Sequence, residues 1–267
     1  APLQDLYVSD GISESSQAWN DMRRDALRLA VEKYIMPAIR SETRRRLAAD
    51  AMEVALQETA DNLWNFATKA PVPIVDDEGH EVHDKRIMAA VYGAGDKAGP
   101  PSTVVLLDQH GTMIDFLHLP QLSGFIPKRR TIAGQPYSIF DDPKKNRDAM
   151  RFKEFVEAHL PHALVVGMGH PEAKALRDEL HNVIERVTAE NTMVLQSLET
   201  GAILKFSADE SIAMAWENSK AAEAEMPSSP PIIRRAVALA RQALDPLAVL
   251  ASTCGQFKEI LTVGVEL

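Results

Sequence analysis

An α/β fold is what this chain of 267 residues predicts: a mixed five-stranded sheet with helices on both faces, plus a helical extension at the amino end. Three observations carry it. Short β-prone runs and helical stretches alternate in the order strand, strand, strand, helix, strand, helix, strand, helix, helix. The second and third runs are joined by a turn at Asp108 to Gly111, so they pair as an antiparallel hairpin. The later strands are separated by helices, as in βαβ units, and a hairpin start followed by such units implies a mixed sheet covered on both faces.

Each element has its own warrant. Residues 13–70 read as helical, with Ser13 as N-cap and with Trp19, Met22, Ala26, Ala30 and Tyr34 at helical spacing. Pro37 interrupts this run and opens the next helix, where Leu47, Ala51, Val54 and Leu63 continue an apolar stripe. Arg44, Arg45 and Arg46 read as a solvated helix face. Pro71, Pro73 and several acids make a break over residues 71–84. Strands follow at 86–92 (RIMAAVY), 103–107 (TVVLL) and 112–119 (TMIDFLHL), the first two separated by a loop rich in Gly and Pro. Residues 120–147 read as a long irregular loop that carries Lys128, Arg129, Arg130, Lys144 and Lys145; loops of such length are functional or mobile. A helix over 148–159, a buried-type strand over 163–168, a helix over 172–190 and a strand over 202–207 complete the alternation. The final helices lie on either side of Pro227, and the last stops at Asp245-Pro246.

Composition bounds the function. Hydrophobic content of 45% and charged content of 25% are those of a globular protein with a substantial core. A net charge of −9 argues against general nucleic-acid binding, which needs clustered Lys and Arg. A single cysteine, Cys254, excludes an intramolecular disulfide and a cysteine-rich zinc site, and suits a reducing compartment. No apolar run approaches the roughly 20 residues of a membrane helix. With no signal-like segment at its start, the chain reads as a fragment of a longer intracellular protein.

Acids mark the chemistry to be tested. Asp209 and Glu210 follow the last strand, and Asp245 ends the last helix. Both places also suit helix capping, which is the default reading for Asp209 and Asp245. Arg234 and Arg241, seven apart, share one side of the last helix beside Arg235, while Ile233, Ala236, Val237, Ala240 and Leu244 should face the core. With Lys128, Arg129 and Arg130, Arg234 and Arg241 form the candidate basic contact patch. The histidines form no metal pattern, and the glycines at 93–99 are followed by no Lys-Ser/Thr and open no helix, so they make no phosphate loop.

The wording of the carboxyl-terminal third is more specific. The phrases SADESIAMAWENSKAAEAEMP and PPIIRRAVALARQALDPLAVLA closely resemble the YqgF-type, resolvase-like domain of the eukaryotic suppressor-of-Ty-six elongation-factor family, and its bacterial relative Tex. The matching features are the acidic pair Asp209-Glu210, the Asn218-Ser219 step, Pro227, and Asp245-Pro246-Leu247. The stretch VSDGISESSQAWNDMRRDALRLAVEKYIMP, with Trp19-Asn20, looks like the helical lead-in to that domain.

The resemblance implies a ribonuclease H-like fold, with a lead-in at 1–84, the domain itself at 85–252, and a tail at 253–267 approaching a further module. It implies a nuclear protein that acts with RNA polymerase II and as a histone chaperone, with other domains of the same factor as partners. Nucleases of this fold hold two divalent metals on three or four carboxylates. Alignment with their first-strand G-x-D-P-G-like phrase puts Val91 at the acidic position, Glu210 at the second and Asp245 at the third. Val91 cannot bind a metal, and Asp96, five residues on, lies up to about 16 Å away along an extended chain. The expectation is therefore a non-catalytic interaction platform with no metal or cofactor, in which Val91, Asp209, Glu210 and Asp245 are remnants of a nuclease site. The alternative is a metal-dependent nuclease or resolvase using Glu210, Asp245 and either Asp209 or Asp96. Nucleic-acid binding by the fragment is expected to be weak.

Overall fold

The computed structural model describes residues 6–76, 78–95, 99–122, 143–190 and 198–263. It divides into two units, one of the residues up to 62 and one of those from 63 onward. The first unit is helical. Helix α1 (Glu14–Ala30) starts as its sequence requires, with the Ser13 hydroxyl accepting from the Ser16 N–H at 3.3 Å. Its one buried residue, Asn20, is tied to Ser9 through both its amide oxygen and its amide nitrogen. Trp19, Met22 and Tyr34 are exposed. A π turn (Val31–Ile35) leads directly into α2 (Met36–Thr68). Pro37 has no N–H to offer the preceding turn, and at the slip the Met36 N–H bonds back to Val31. The interruption expected at Pro37 is thus a change of helical pitch.

The second unit holds the sheet. Strands β1 (Ile87–Ala94), β2 (Pro101–Leu107) and β3 (Met113–Leu119) pair antiparallel in sequence. The β2–β3 turn is held by the Asp108 carboxylate, which accepts from the N–H groups of His110 and Thr112, with Gly111 at φ 75°. Helix α3 (Pro143–His159) leads to β4 (Ala163–Gly167), and α4 (Ala173–Glu190) to β5 (Leu204–Ala208); β4 pairs parallel with β1 and with β5. The order across the sheet is β3-β2-β1-β4-β5. This is the mixed five-stranded sheet that the sequence predicts, and it agrees with a ribonuclease H-like fold. Helix α3 begins at Pro143, five residues before the expected start at 148. Proline at the first helical turn lacks only an N–H that would have no partner there.

The alternation of β1 splits the core. Met88 and Ala90 point to the face covered by α3 and α4, among Phe152, Leu176 and Leu180. Ile87, Ala89 and Val91 point to the other face, against Ile233, Ala236, Val237 and Ala240 of the later helix α7. That face is built by α5 (Ser211–Glu217), α6 (Lys220–Glu225), α7 (Pro231–Leu244) and α8 (Pro246–Thr253). A 3₁₀ turn (Glu259–Thr262) follows, and Ile260 packs with Phe66 and Ala67 on Ile212, Val249 and Leu250. Among the described residues, no helix is long and apolar enough to cross a membrane.

Candidate functional site

The carboxyl ends of β4 and β5 bring together what the sequence left apart. The chain leaves β5 at Ala208 and turns into α5, and Glu210 points inward, its side chain 3% exposed. Its carboxylate lies against Gly167 and Gly169. A Cβ on Gly167 would stand 2.0 Å from Glu210 Oε1, with other Glu210 side-chain atoms next nearest. The Gly169 N–H donates to Oε1 at 3.2 Å. The two glycines therefore form a cradle fitted to this one carboxylate. Val91, fully buried, lies on the same face. The β1–β4 ladder pairs Ala90 with Val166, so one step further along Val91 stands beside Gly167.

The side chain that meets Glu210 from α7 is a cation. Arg235 Nη1 lies 3.7 Å from Glu210 Oε2. The same guanidinium donates a two-pronged pair to Glu217 at the end of α5, from Nε and Nη2, each at 2.7 Å. Glu217 is itself buried. Burial raises the Glu210 carboxyl above the ordinary glutamate range, against the pull of the Gly169 N–H and Arg235; Glu217 and Asp209 push it further up. Beside the cluster Tyr92 stacks on His170, ring centroids 4.5 Å apart, and its hydroxyl donates to Glu172. Burial and that carboxylate push the tyrosine up to about 12.

The other acids lie elsewhere or act locally. Asp209 is exposed, and its carboxylate accepts the Ser211 N–H at 2.7 Å and the Ser211 hydroxyl at 2.6 Å. The N-cap of α5 is Glu210, one residue later than expected; because the Glu210 side chain turns inward, Asp209 does the local bonding. Asp245 caps α8, accepting the Ala248 N–H at 3.0 Å. It does not meet Glu210. Arg241, one turn before it, donates to the Gly111 carbonyl in the β2–β3 turn. That turn adjoins Leu107, which pairs with Ile87 at the amino end of β1, whereas Glu210 lies at the carboxyl end of β4. The two acids thus lie at opposite ends of the sheet, Asp245 standing ten residues, about 15 Å of helix rise, beyond Arg235 along α7. Among the described residues, no three His, Cys, Asp or Glu side chains converge as metal ligands.

Two residues of the basic patch, Arg234 and Arg241, have partners within the domain. Arg234 is half-buried, donating to the carbonyls of Ser229 and Glu217 at 3.0 Å each. Arg241 pairs with Glu225 and covers the Trp216 ring, 5.5 Å from its centroid. Both arginines are spent inside the domain because α7 is enclosed on nearly every side. Lys145, expected on a loop, is buried in the first turns of α3 and paired with Glu179. Lys128, Arg129, Arg130 and Asp96 lie outside the described residues. Arg235 and Glu217, given no role in the sequence, complete the cluster around Glu210. Their only signal in the sequence was a second arginine, Arg235, beside Arg234 near the start of that helix.

Residues 74–254 match the family described as YqgF, Holliday-junction resolvase-like of SPT6. The chain belongs to this family. It is similar to a transcription elongation factor SPT6-like protein of Arabidopsis thaliana, 29% identical over 96% of this chain and 18% of that protein. A second Arabidopsis relative, an SPT6 homolog, is 30% identical over 96% of this chain and 15% of its own length. Transcription elongation factor SPT6 of Drosophila melanogaster is 24% identical, over 96% and 13%. The chain therefore spans less than a fifth of each of these relatives.

Proposed function

We propose that the domain is a non-catalytic, ribonuclease H-like module of a nuclear transcription elongation factor, serving as a structural and protein-interaction platform. The carrying observation is Arg235. Two-metal hydrolysis needs carboxylates to converge on one point, and Glu210 instead meets a guanidinium from α7. Val91 supplies no ligand from β1, and Asp245 caps a helix at the far end of the sheet. Two divalent metals do not fit this donor set. Residues 85–252 make up the platform, with 1–84 as its lead-in and 253–267 as the approach to the next module. By resemblance, the whole factor acts with RNA polymerase II-associated proteins and as a histone chaperone, and other domains of the factor are this module's first partners. The net charge of −9 supports basic protein partners over nucleic acid.

The test is incubation of the domain with branched DNA and with RNA–DNA hybrid in Mg²⁺ or Mn²⁺. Intact substrate is expected in both. Cleavage that disappears in Glu210→Gln would overturn the reading.

A further inference from the structure

We infer that Arg235 is a built-in replacement for a divalent cation, making the old metal end of this fold metal-independent. The inference rests on the non-catalytic reading above and goes beyond it, because it says what holds the carboxylates in place of metal.

Two carboxylates, Glu210 and Glu217, are buried on α5 and its cap, and one guanidinium spans them. Buried carboxylates stay charged only when paired or coordinated. The backbone is shaped around the first: Gly167 leaves no room for a Cβ, and Gly169 donates its N–H. The second takes both prongs of the fork, a geometry specific to Arg. Arg235 therefore performs the electrostatic task of a bound ion, but it is delivered covalently by α7. It cannot dissociate, and it activates no water.

Vacating the position should reopen it to a hard cation, which prefers carboxylate and water oxygens. Mn²⁺ is the probe, followed by electron paramagnetic resonance and by thermal unfolding of the whole chain. The wild-type domain and Arg235→Lys, which keeps the charge, should ignore millimolar Mn²⁺. Arg235→Ala should bind about one Mn²⁺ and unfold at higher temperature in its presence, as a ligand of the native state demands. The double variant Arg235→Ala with Glu210→Gln should lose that response.

A folded Arg235→Ala that neither binds Mn²⁺ nor is stabilised by it overturns the inference. So does an Arg235→Ala that fails to refold with Mn²⁺ present, and so does Glu210-dependent Mn²⁺ binding by wild type. Nucleic-acid cleavage by wild type would sink the non-catalytic reading as well. An unresponsive Arg235→Ala beside an inert wild type sinks this inference alone.

Discussion

Gly167→Ala should be among the most damaging single-methyl additions in the domain, and Glu210 should be the reason. Gly167 does not have a positive φ, so the backbone itself tolerates Ala. The added Cβ would meet Glu210 Oε1, Cδ and Cγ at 2.0, 2.5 and 2.6 Å. Nothing can absorb that overlap unless the carboxylate leaves its cradle. Overpacking costs about 1–3 kcal/mol, and losing the charged acceptor of the Gly169 N–H costs about 1.5–3 kcal/mol more. The expected loss is about 2.5–6 kcal/mol, read from urea unfolding of both forms. The control is a double-mutant cycle with Glu210→Ala, which empties the space the methyl needs. In that background Gly167→Ala should cost less than about 1 kcal/mol, a coupling of at least about 1.5 kcal/mol. Additive losses would refute the reasoning, since they would mean that the methyl and the carboxylate never competed for one place.

Three further outcomes follow from the same geometry. Because the folded Glu210 carboxyl is raised by burial, the native state holds its proton over a range where the unfolded chain has released it. Stability should therefore fall as pH rises from the ordinary glutamate range through the raised folded value, and Glu210→Gln should flatten that slope when urea unfolding is followed upward in pH from the ordinary glutamate range. Asp245→Ala should cost about 1 kcal/mol through the lost cap of α8, seen as a lower midpoint with no change in how the domain treats nucleic acid. Lys145→Ala should cost about 3–5 kcal/mol by leaving Glu179 buried without its cation, and Lys145→Met with Glu179→Leu should recover most of it in thermal unfolding.

The fold was legible because its signals are local. Alternating runs such as RIMAAVY and the Asp108–Gly111 turn define strands and a hairpin without reference to distant residues. The resemblance rested on phrases of similar locality. What escaped depended on partners far along the chain. Lys145 looks like a loop lysine until Glu179, on α4, takes it into the core. Arg234 and Arg241 look like part of a basic contact patch until Glu217, Ser229, Gly111 and Glu225 take up their guanidinium groups. Asp245 sits in the right phrase for a third acid, but a phrase does not tell which end of a sheet its helix has reached. Arg235 stood in plain view beside Arg234, yet only the inward turn of Glu210 made it the centre of the site.

Asp245 has one more consequence. It terminates α7, its N–H bonding to Arg241 O at 2.7 Å, and it also starts α8 through its carboxylate. Hinges need residues free to absorb changes in φ and ψ. Between Leu244 and Pro246 there is only this one, fixed at φ −147°, ψ 91° from both directions. The corner is thus an elbow without a joint. The change of direction from α7 to α8 is therefore made by one residue, with no linker between the two helices.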